Sequence, residues 1–405
     1  MEMKEESGGL LPGIRILDLA DEKGSFCSKL LADLGASVIK VERPQGDPSR
    51  GIGPFFKKSP QPEESLSFCY NNSNKRGITL NLEKEAGREI FLRLAKRTDV
   101  VIETFPPGTL KKLKLDFEIV REANERLILV SITGFGQQGP RSNYKSCDIV
   151  ASAFGGQMYV SGFPSTPPLK PFGEQSYYAA SLFAAIGILL ALKRRQQSGR
   201  GEHIDVSLQE AVASTLEHVM IQYFYEKIVP KRQGSLHWNS ASIILPCKDG
   251  HLLISLLQKW ETLVEWMDSE AMAEDLKDER YREEEYRLKH LDHVIEVLRR
   301  WTLTHTTHEL FELGQLMRFP WAPVYSPKEV LDNPQLKARG FFVNVDHPEM
   351  GTSLPYAGVP YQFSLPRPNP WKRAPLKGED NRRVYQEELG LSEEELQELS
   401  ARGAI

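Results

Sequence analysis

The stretch Ile14–Glu42, IRILDLADEKGSFCSKLLADLGASVIKVE, carries the pattern of a strand, a helix and a second strand. Ile14–Leu19 is a short apolar run of the kind that forms a buried strand. Ser25–Leu34 repeats apolar residues at helical spacing and is followed by Gly35, a residue that commonly ends helices. Ser37–Glu42 again has the composition of a strand, so the stretch predicts a unit that joins two parallel strands through a helix.

The same alternation of periods continues to about residue 132. Further strands are predicted at Gly77–Leu82, Asp99–Glu103 and Leu127–Ile132, and further helices at Glu85–Lys96 and Phe117–Arg126. This order predicts an α/β fold with an open, mostly parallel sheet of the Rossmann type. Such sheets bind ligands at the carboxyl ends of their strands, so the candidate site lies in the loops after Leu19, Glu42, Glu103 and Ile132.

The first of these loops does not favour a nicotinamide or flavin enzyme. Residues Ala20–Ser25 read ADEKGS, which lacks a Gly-x-Gly-x-x-Gly turn and puts acidic side chains where a pyrophosphate would approach. We therefore expect no nicotinamide cofactor.

The rest of the chain changes character twice. Helical periods are predicted for Cys147–Met158, Ser176–Gln197, Leu208–Tyr225 and Ser392–Ala401, a strand for His203–Ser207 and a hairpin for Ile243–Ile254. Prolines recur from 320 to 370, which predicts an extended segment that returns across the molecule without a core of its own. The predicted domains are a large one that begins with residues 1–215, a smaller inserted α+β domain over 216–325, and a return segment with a C-terminal helix, 326–405, that completes the large domain.

Composition excludes several classes of function. The 405 residues include 51 Lys and Arg against 55 Asp and Glu, a net charge of −4 that favours neither nucleic acid nor an anionic membrane. The cysteines are far apart, and the pairs His290/His293 and His305/His308 have no carboxylate to complete them, so no metal is expected. The apolar run Ala179–Leu192 is shorter than a membrane span and predicts a buried helix, and the polar N-terminus predicts a cytoplasmic protein.

Several phrases together resemble the class III CoA-transferase family, which includes formyl-CoA transferase, carnitine CoA-transferase and alpha-methylacyl-CoA racemase. The phrases that carry the resemblance are Leu11–Asp18, Leu30–Glu42, Asn74–Leu80, Gly134–Pro140, Ser198–Ser207, Ala322–Val324 and Leu331–Gly340. Each phrase alone is weak, but their order along nearly the whole chain is specific. The resemblance implies a Rossmann-like large domain, an inserted smaller domain and two chains threaded through each other as interlocked rings.

The resemblance also implies that CoA or an acyl-CoA is a substrate and that it lies on the large domain. Arg43 would contact the adenosine phosphate end, and Asn74, Lys75 and Arg76 the phosphates and ribose. Phe105 and Lys112 would complete the wall. For Lys75 and Arg76, an ordinary basic strand start is the alternative.

Transferases of this family attack the acyl thioester with an aspartate, which gives a mixed anhydride and then an enzyme–CoA thioester. That aspartate lies about ten residues before the glycine that matches Gly187, which corresponds here to Ser176 or Tyr177. Neither is a carboxylate. Glu174 is nearest, but two or three extended residues separate it by roughly 7 to 10 Å. Asp148 is expected to cap a helix.

The resemblance is therefore strongest to the non-catalytic subunit of two-subunit enzymes such as benzylsuccinate CoA-transferase of anaerobic toluene breakdown. The chain is predicted to pair with a homologous subunit that supplies the aspartate, in a complex that moves CoA from a donor such as succinyl-CoA to an organic acid. Racemisation is not favoured, because Cys147 stands where the family's racemases have a histidine. Two alternatives stay open: a self-sufficient homodimer that uses Glu174, and a CoA-binding regulatory protein without turnover. Four residues (Phe154, Met158, Tyr177 and Tyr178) are candidates either for an acyl pocket or for plain core.

Overall fold

The computed structural model describes residues 9–57, 61–237, 239–364 and 371–405. Two compact units divide the chain. The first comprises Met1–Met158, Lys170–Ile228 and Ala338–Ile405, and the second comprises Tyr159–Leu169 and Val229–Lys337. The domain bounds predicted from the sequence, at 215 and 325, stay a prediction.

The first unit contains a parallel sheet of six strands. The strands are β1 (Arg15–Leu19), β2 (Ser37–Glu42), β3 (Arg76–Thr79), β4 (Val100–Glu103), β5 (Ile128–Thr133) and β6 (His203–Ser207). Their order is β3-β2-β1-β4-β5-β6, and every neighbouring pair is parallel. The predicted Rossmann-like α/β fold is therefore confirmed. The order reverses between β1 and β4, which places a crevice at the carboxyl ends of these strands.

Helices cover both faces of the sheet. The helices up to residue 226 are α1 (Ser25–Asp33), α2 (Leu66–Asn71), α3 (Glu85–Ala95), α4 (Thr109–Lys112), α5 (Phe117–Ala123), α6 (Asp148–Phe154), α7 (Gln157–Val160), α8 (Gln175–Ser198), α9 (Leu208–Ser214) and α10 (His218–Glu226). Helices α1, α6, α8 and α9 contribute to the core on one face, and α3, α4 and α5 to the core on the other. Because side chains alternate along a strand, Val100 and Ile102 of β4 pack with α8, whereas Val101 belongs to the core on the opposite face. Both cores exclude water, which is the main stabilising contribution of a parallel sheet.

Helix α8 is buried on one face only. Small residues such as Ala180 and Ala184 lie in the core, so the helix packs closely on the sheet. Its outer face is apolar and exposed at Leu182, Phe183, Ile186, Leu189 and Leu190. By length and composition its 24 residues could cross a membrane, but half of its most apolar window is buried against the protein. The helix extends one residue beyond the predicted Ser176–Gln197 at each end, and the prediction that the apolar run Ala179–Leu192 is buried is correct for the inner face alone.

Several segments differ from their predictions. The predicted helix Cys147–Met158 forms two helices, α6 and α7, which are separated by Gly155 and Gly156. Leu208–Tyr225 forms two helices, α9 and α10, because the backbone turns between them at Glu217, whose φ is 47°. The proline-rich segment does build a small core. Its hairpin of β10 (Phe342–His347) and β11 (Thr352–Ala357) packs Val345 and Tyr356 against Cys69, because apolar residues alternate along both strands.

The C-terminal segment fastens the outer strand β3. It contains a π-helical turn, Arg383–Glu388, and the last helix of the described chain, Glu393–Ala401. This helix is α17, because six helices of the second unit come before it in the sequence. The Gly77 and Thr79 amides donate to the side chains of Asp380 (2.8 Å) and Asn381 (2.8 Å). A Cβ on Gly77 would lie 2.7 Å from the Pro375 side chain, so only glycine admits the segment at this distance. The segment therefore occupies a sheet edge that would otherwise expose unpaired backbone groups.

The second unit has its own core. It contains the antiparallel strands β7 (Ser242–Pro246), β8 (His251–Ser255) and β9 (Ala322–Pro323) with α11 (Trp260–Ser269), α12 (Glu284–Lys289), α13 (Leu291–Thr302), α14 (Thr307–Leu316), α15 (Pro327–Asp332) and α16 (Pro334–Ala338). Trp266, Trp301 and Trp321 pack together at the centre. Both Trp266 and Trp301 donate to the carboxylate of Glu270, at 2.8 and 2.6 Å, which satisfies their indole groups. The predicted hairpin over 243–254 is present as β7 and β8.

Candidate functional site

A cleft of about 820 Å³ lies at the carboxyl edge of the parallel sheet. The loops after five strands line it: Asp21 and Lys23 after β1, Arg43 and Gln45 after β2, Asn81 and Glu83 after β3, Thr104 and Phe105 after β4, and Gly134 with Ser142–Ser146 after β5. The four loops that the sequence nominated therefore meet in one cavity. Its size suits a ligand larger than a typical metabolite.

Two of the predicted site residues line this cleft. Arg43 is exposed and forms no ion pair with any residue that the structure describes, so its guanidinium is open to a ligand. Phe105 is half-buried and offers an aromatic ring. Lys112 is exposed on α4, where its neighbours Thr109 and Leu113 line the cleft but Lys112 itself does not.

Sequence reasoning missed Lys145, an exposed cation that lines the cleft at the end near β5. It lies two residues before Cys147, in a loop that precedes a helix. This position could have identified Lys145 as a site residue, because in such folds the ligand binds at the loops that follow the carboxyl ends of parallel strands.

The other three predicted residues do not line the cleft. The ammonium of Lys75 is buried and donates to Asp18 Oδ2 (2.9 Å), Asn72 Oδ1 (2.8 Å) and the Ser25 carbonyl (2.9 Å), which uses all three of its protons. Burial lowers the pKa of Lys75 to about 8. Whether Lys75 contacts CoA stays a prediction, but its ammonium is already fully hydrogen-bonded inside the protein.

Asn74 and Arg76, on either side of Lys75, are held in the same way. The Asn74 amide donates to Asp33 (2.8 Å) and accepts from the Lys372 backbone (2.8 Å). Arg76 pairs with Glu388, a residue of the C-terminal segment. Their contact with CoA also stays a prediction, since the structure brings them to internal partners and not to the cleft.

Lys75 belongs to a group of buried ion pairs that we call the sealed charge network. Its pairs are Lys75–Asp18, Lys29–Asp33 and Lys40–Asp47, and the lysine of each pair is almost completely buried. Asp18 also accepts from the Ala20 amide (3.0 Å), and Lys40 donates to the Ala20 carbonyl. The network therefore fixes the loop after β1, which is one wall of the cleft.

The N-terminus of α8 holds the two hydroxyl residues at which the family's aspartate was expected. Asp148 accepts hydrogen bonds from the Ser176 amide (2.9 Å) and hydroxyl (2.7 Å), and it pairs with Lys170 (2.7 Å). The Tyr177 hydroxyl accepts from the Asp148 amide (3.0 Å). Asp148 caps a helix, as predicted, but the helix is α8 and not its own α6. Both hydroxyls are thus used to join α6 to α8.

Glu174 is a half-buried carboxyl immediately before α8. It forms no ion pair with any described residue. Burial raises its pKa, and the nearby carboxylates of Asp148 and Glu22 raise it further. Burial and Glu22 also raise the pKa of the Tyr177 hydroxyl. The surroundings therefore disfavour the ionised, nucleophilic form of both groups.

Glu103 is a second residue that sequence reasoning missed. It ends the buried strand β4, and its carboxyl accepts from the Phe105 amide (2.6 Å), so it holds the ring that lines the cleft. Burial raises the pKa of Glu103 to about 7. Glu103 could have been identified from the sequence, because it is an acidic residue at the end of an otherwise apolar run.

Among the residues that the structure describes, there is no group of three or more His, Cys, Asp or Glu side chains that could hold a metal ion. Cys147 is exposed, whereas Cys27, Cys69 and Cys247 are buried.

Comparison with known proteins gives a consistent result. A sequence model described as CoA-transferase family III matches residues 11–381. The chain is 33% identical to succinyl-CoA:(R)-benzylsuccinate CoA-transferase subunit BbsE of Thauera aromatica, over 96% of this chain and 97% of that protein. It is also 33% identical to succinyl-CoA:mesaconate CoA-transferase of Haloarcula hispanica, over 94% of this chain and 96% of that protein. A crystal structure of a CAIB/BAIF family protein from Brucella suis superposes with a TM-score of 0.83 at 30% identity and covers 93% of this chain and 98% of its own.

Proposed function

Because the chain belongs to CoA-transferase family III, an enzyme family whose substrates are acyl-CoA thioesters, we propose that it is one subunit of a two-subunit transferase. In this proposal the complex moves CoA from a donor such as succinyl-CoA to an organic acid such as benzylsuccinate, in the cytoplasm. A homologous second subunit supplies the catalytic aspartate.

The chemistry at the start of α8 carries this proposal. A carboxylate that attacks a thioester forms an anhydride, which is as activated as the thioester, so CoA can be exchanged reversibly. A hydroxyl would form a more stable ester and stall the cycle. Ser176 and Tyr177 offer only hydroxyls, and both already hydrogen-bond to Asp148. This arrangement supports a structural role for the helix start and a nucleophile from elsewhere.

Two exposed apolar helix faces support the assembly. The outer face of α8 exposes five large apolar residues, and α10, described in full, has no buried residue. On α10 the exposed apolar and aromatic residues are Met220, Ile221, Tyr223, Phe224 and Tyr225. Monomeric proteins rarely expose so many neighbouring apolar groups, whereas subunit interfaces bury them. The Thauera relative is a subunit of its transferase, which is consistent with a paired enzyme. We propose that the partner covers these faces, in the interlocked arrangement that the family resemblance implies.

The cleft supports specific contacts with CoA. Arg43, Phe105 and Lys145 line the cleft, and we propose that Arg43 binds the adenosine phosphate end, Phe105 contacts the nucleotide and Lys145 binds a phosphate nearer β5. We propose that Lys112 binds at the rim. We propose that Lys75 and Arg76, whose side chains already have internal partners, contribute by holding the loops that surround the ligand.

One observation favours a second candidate. Glu174 is the carboxylate nearest to the expected position in the sequence and forms no ion pair in the described parts of the chain. A homodimer that uses Glu174 as nucleophile is therefore the alternative, and a CoA-binding regulator without turnover is the third possibility.

The decisive experiment compares the purified chain alone with the same chain co-expressed with a homologue that has Asp at the position matching Tyr177. Each sample receives succinyl-CoA, an acceptor acid and then hydroxylamine, which converts activated carboxyl groups to hydroxamates that mass spectrometry can locate. We expect turnover only in the mixture and a hydroxamate only on the partner's aspartate. Glu174→Gln serves as the control and should not change the turnover of the co-expressed pair.

The other outcomes identify the alternatives. Turnover by the chain alone, with a hydroxamate on Glu174, would establish the homodimer. CoA binding with no turnover in either sample would favour the regulator.

A further inference from the structure

A second cavity adjoins the cleft beside β2. Its volume is about 610 Å³, and it shares Arg43, Gln45, Asp47 and Pro48 with the cleft. Its other lining residues are Gly46, Arg50, Gly51, Glu63 and Lys377. Lys377 comes from the C-terminal segment, more than 300 positions after the loop that it faces. The cavity is therefore an extension of the cleft that the two ends of the first unit build together.

The position of Lys377 is set by close packing. Asp380 and Asn381, a few residues later, hydrogen-bond to the outer strand β3 and anchor the segment. Gly46, whose φ is 97°, leaves room for the lysine stem, since a Cβ on Gly46 would lie 3.4 Å from the Lys377 Cδ. The stem thus lies across Gly46, and the exposed ammonium borders the cavity.

Most charges around the cavity are already compensated. Arg50 pairs with Glu42 (2.7 Å) and with Glu63 (2.5 Å). Asp47 pairs with Lys40 (2.7 Å).

Two cations are left over. Among the described residues, neither Arg43 nor Lys377 has an ion-pair partner, although both border the same cavity. A pair of uncompensated cations at the end of a ligand cleft is suited to a doubly charged anion.

We propose that Lys377, together with Arg43, binds the 3′-phosphate of CoA and makes the chain discriminate between CoA and 3′-dephospho-CoA. This inference rests on the proposed function, because it assumes that acyl-CoA occupies the cleft. The 3′-phosphate is a monoester, which carries close to two negative charges at neutral pH, whereas each phosphate of the pyrophosphate bridge carries one. It is therefore the part of CoA that two neighbouring cations match best.

The direction of the ligand agrees with this assignment. The cavity borders β2, whereas the loop Ser142–Ser146, which leads to α6 and Asp148, follows β5. Strands β2 and β5 are three places apart in the sheet, which corresponds to about 14 Å. With its 3′-phosphate at Lys377, an extended CoA would direct its thiol toward the β5 end of the cleft, from which the loop leads to Asp148 and its contacts with the start of α8.

The test is a calorimetric titration of CoA and of 3′-dephospho-CoA into the purified full-length chain and into Lys377→Met. The unaltered chain should prefer CoA. Lys377→Met should weaken CoA binding about tenfold and change binding of 3′-dephospho-CoA by less than about twofold, because only one charge-assisted contact is removed. Lys377→Arg should retain most of the preference.

Lys372→Met is the matched control, since Lys372 is an exposed lysine of the same segment that does not line the cavity, and it should bind both ligands like the unaltered chain. Thermal denaturation confirms that each variant is folded. An equal loss for both ligands, or no loss for either, would overturn the role of Lys377 and leave the proposed function standing. No binding of CoA by the unaltered chain would also overturn the role of Lys377, whereas the proposed function fails only if the chain with its homologous partner shows no turnover.

Discussion

The basic residues of the large unit occur in two contrasting environments. Lys75 lies inside the sealed charge network, where Asp18, Asn72 and a carbonyl take all of its protons. Arg43 lies at the edge of the same sheet and has no ion-pair partner in the described chain. Both were predicted to bind CoA from the same kind of motif. The difference shows that the partners already present, and not the type of residue, separate a cation that builds the site from one that is open to a ligand.

The largest expected effect is a loss of stability, and it tests whether Lys75 in the sealed charge network has a structural role. Lys75→Met removes one partner of a fully buried ion pair and leaves Asp18 charged without a cation, so the free energy of unfolding should fall by about 3 to 5 kcal/mol. Urea denaturation measures the loss. Lys372→Met, an exposed lysine, should leave the urea midpoint unchanged. If Lys75→Met kept its stability and lost CoA affinity, the distinction between sealed and open cations would fail.

Glu103 sharpens the comparison because it is buried and forms no ion pair with any residue that the structure describes. Its pKa rises from 4.5 to about 7, so between these pH values the folded protein retains a proton that the unfolded chain has lost. Its contribution to stability is therefore complete below about pH 4.5 and is lost as the pH rises to about 7, at up to about 1.4 kcal/mol per pH unit. Urea denaturation at several pH values should show this slope in the unaltered chain and a correspondingly flatter profile in Glu103→Gln. Identical profiles for the two proteins would mean that Glu103 does not titrate in this range.

Arg43→Met tests whether the exposed cation Arg43 binds CoA. Loss of one charge-assisted contact with a phosphate should weaken CoA binding about tenfold. Because Arg43 is exposed and unpaired in the described chain, the urea midpoint should not move. Calorimetry and denaturation on the same sample check both statements. A fall in stability comparable to that of Lys75→Met would show that Arg43 is part of the scaffold.

The smallest expected effect concerns the hydroxyl of Tyr177. Tyr177→Phe removes the acceptor for the Asp148 amide and should lower the free energy of unfolding by about 1 kcal/mol without changing turnover of the two-subunit enzyme. Tyr325→Phe is the control, because Tyr325 is exposed, lies outside the two apolar helix faces and forms no side-chain hydrogen bond with a described residue. Loss of turnover in Tyr177→Phe at unchanged stability would assign the hydroxyl to chemistry and contradict a purely structural role.

Local patterns predicted the sheet well. The bounds of β2 and β6 agree with the predicted Ser37–Glu42 and His203–Ser207. Strand β2 is a short and almost fully buried run, whereas β6 is an edge strand that alternates exposed polar and partly buried apolar residues, and both patterns are typical of strands. The loops at the carboxyl ends were also found, since the direction of parallel strands places them at one edge.

Other features depend on contacts between distant residues, which no local pattern reveals. Lys75 and Asp18 are 57 positions apart, so neither position shows that the two form a pair. Strand β3 was predicted to reach Leu82 but ends at Thr79, where Asn381 binds its backbone. The role of Lys377 beside the cleft likewise follows from that long-range docking and could not be predicted from the proline-rich sequence around it.

The docking of the C-terminal segment on β3 also constrains the order of events during translation. Gly77 leaves the ribosome long before Asp380, its partner 303 positions later. Until that residue emerges, the nascent sheet has an uncovered lateral strand that can pair with another nascent chain. A nonsense mutation before Pro375 would leave this strand permanently uncovered. We expect the truncated product to be found with chaperones or in inclusion bodies, even though every cleft residue up to Lys145 is still encoded.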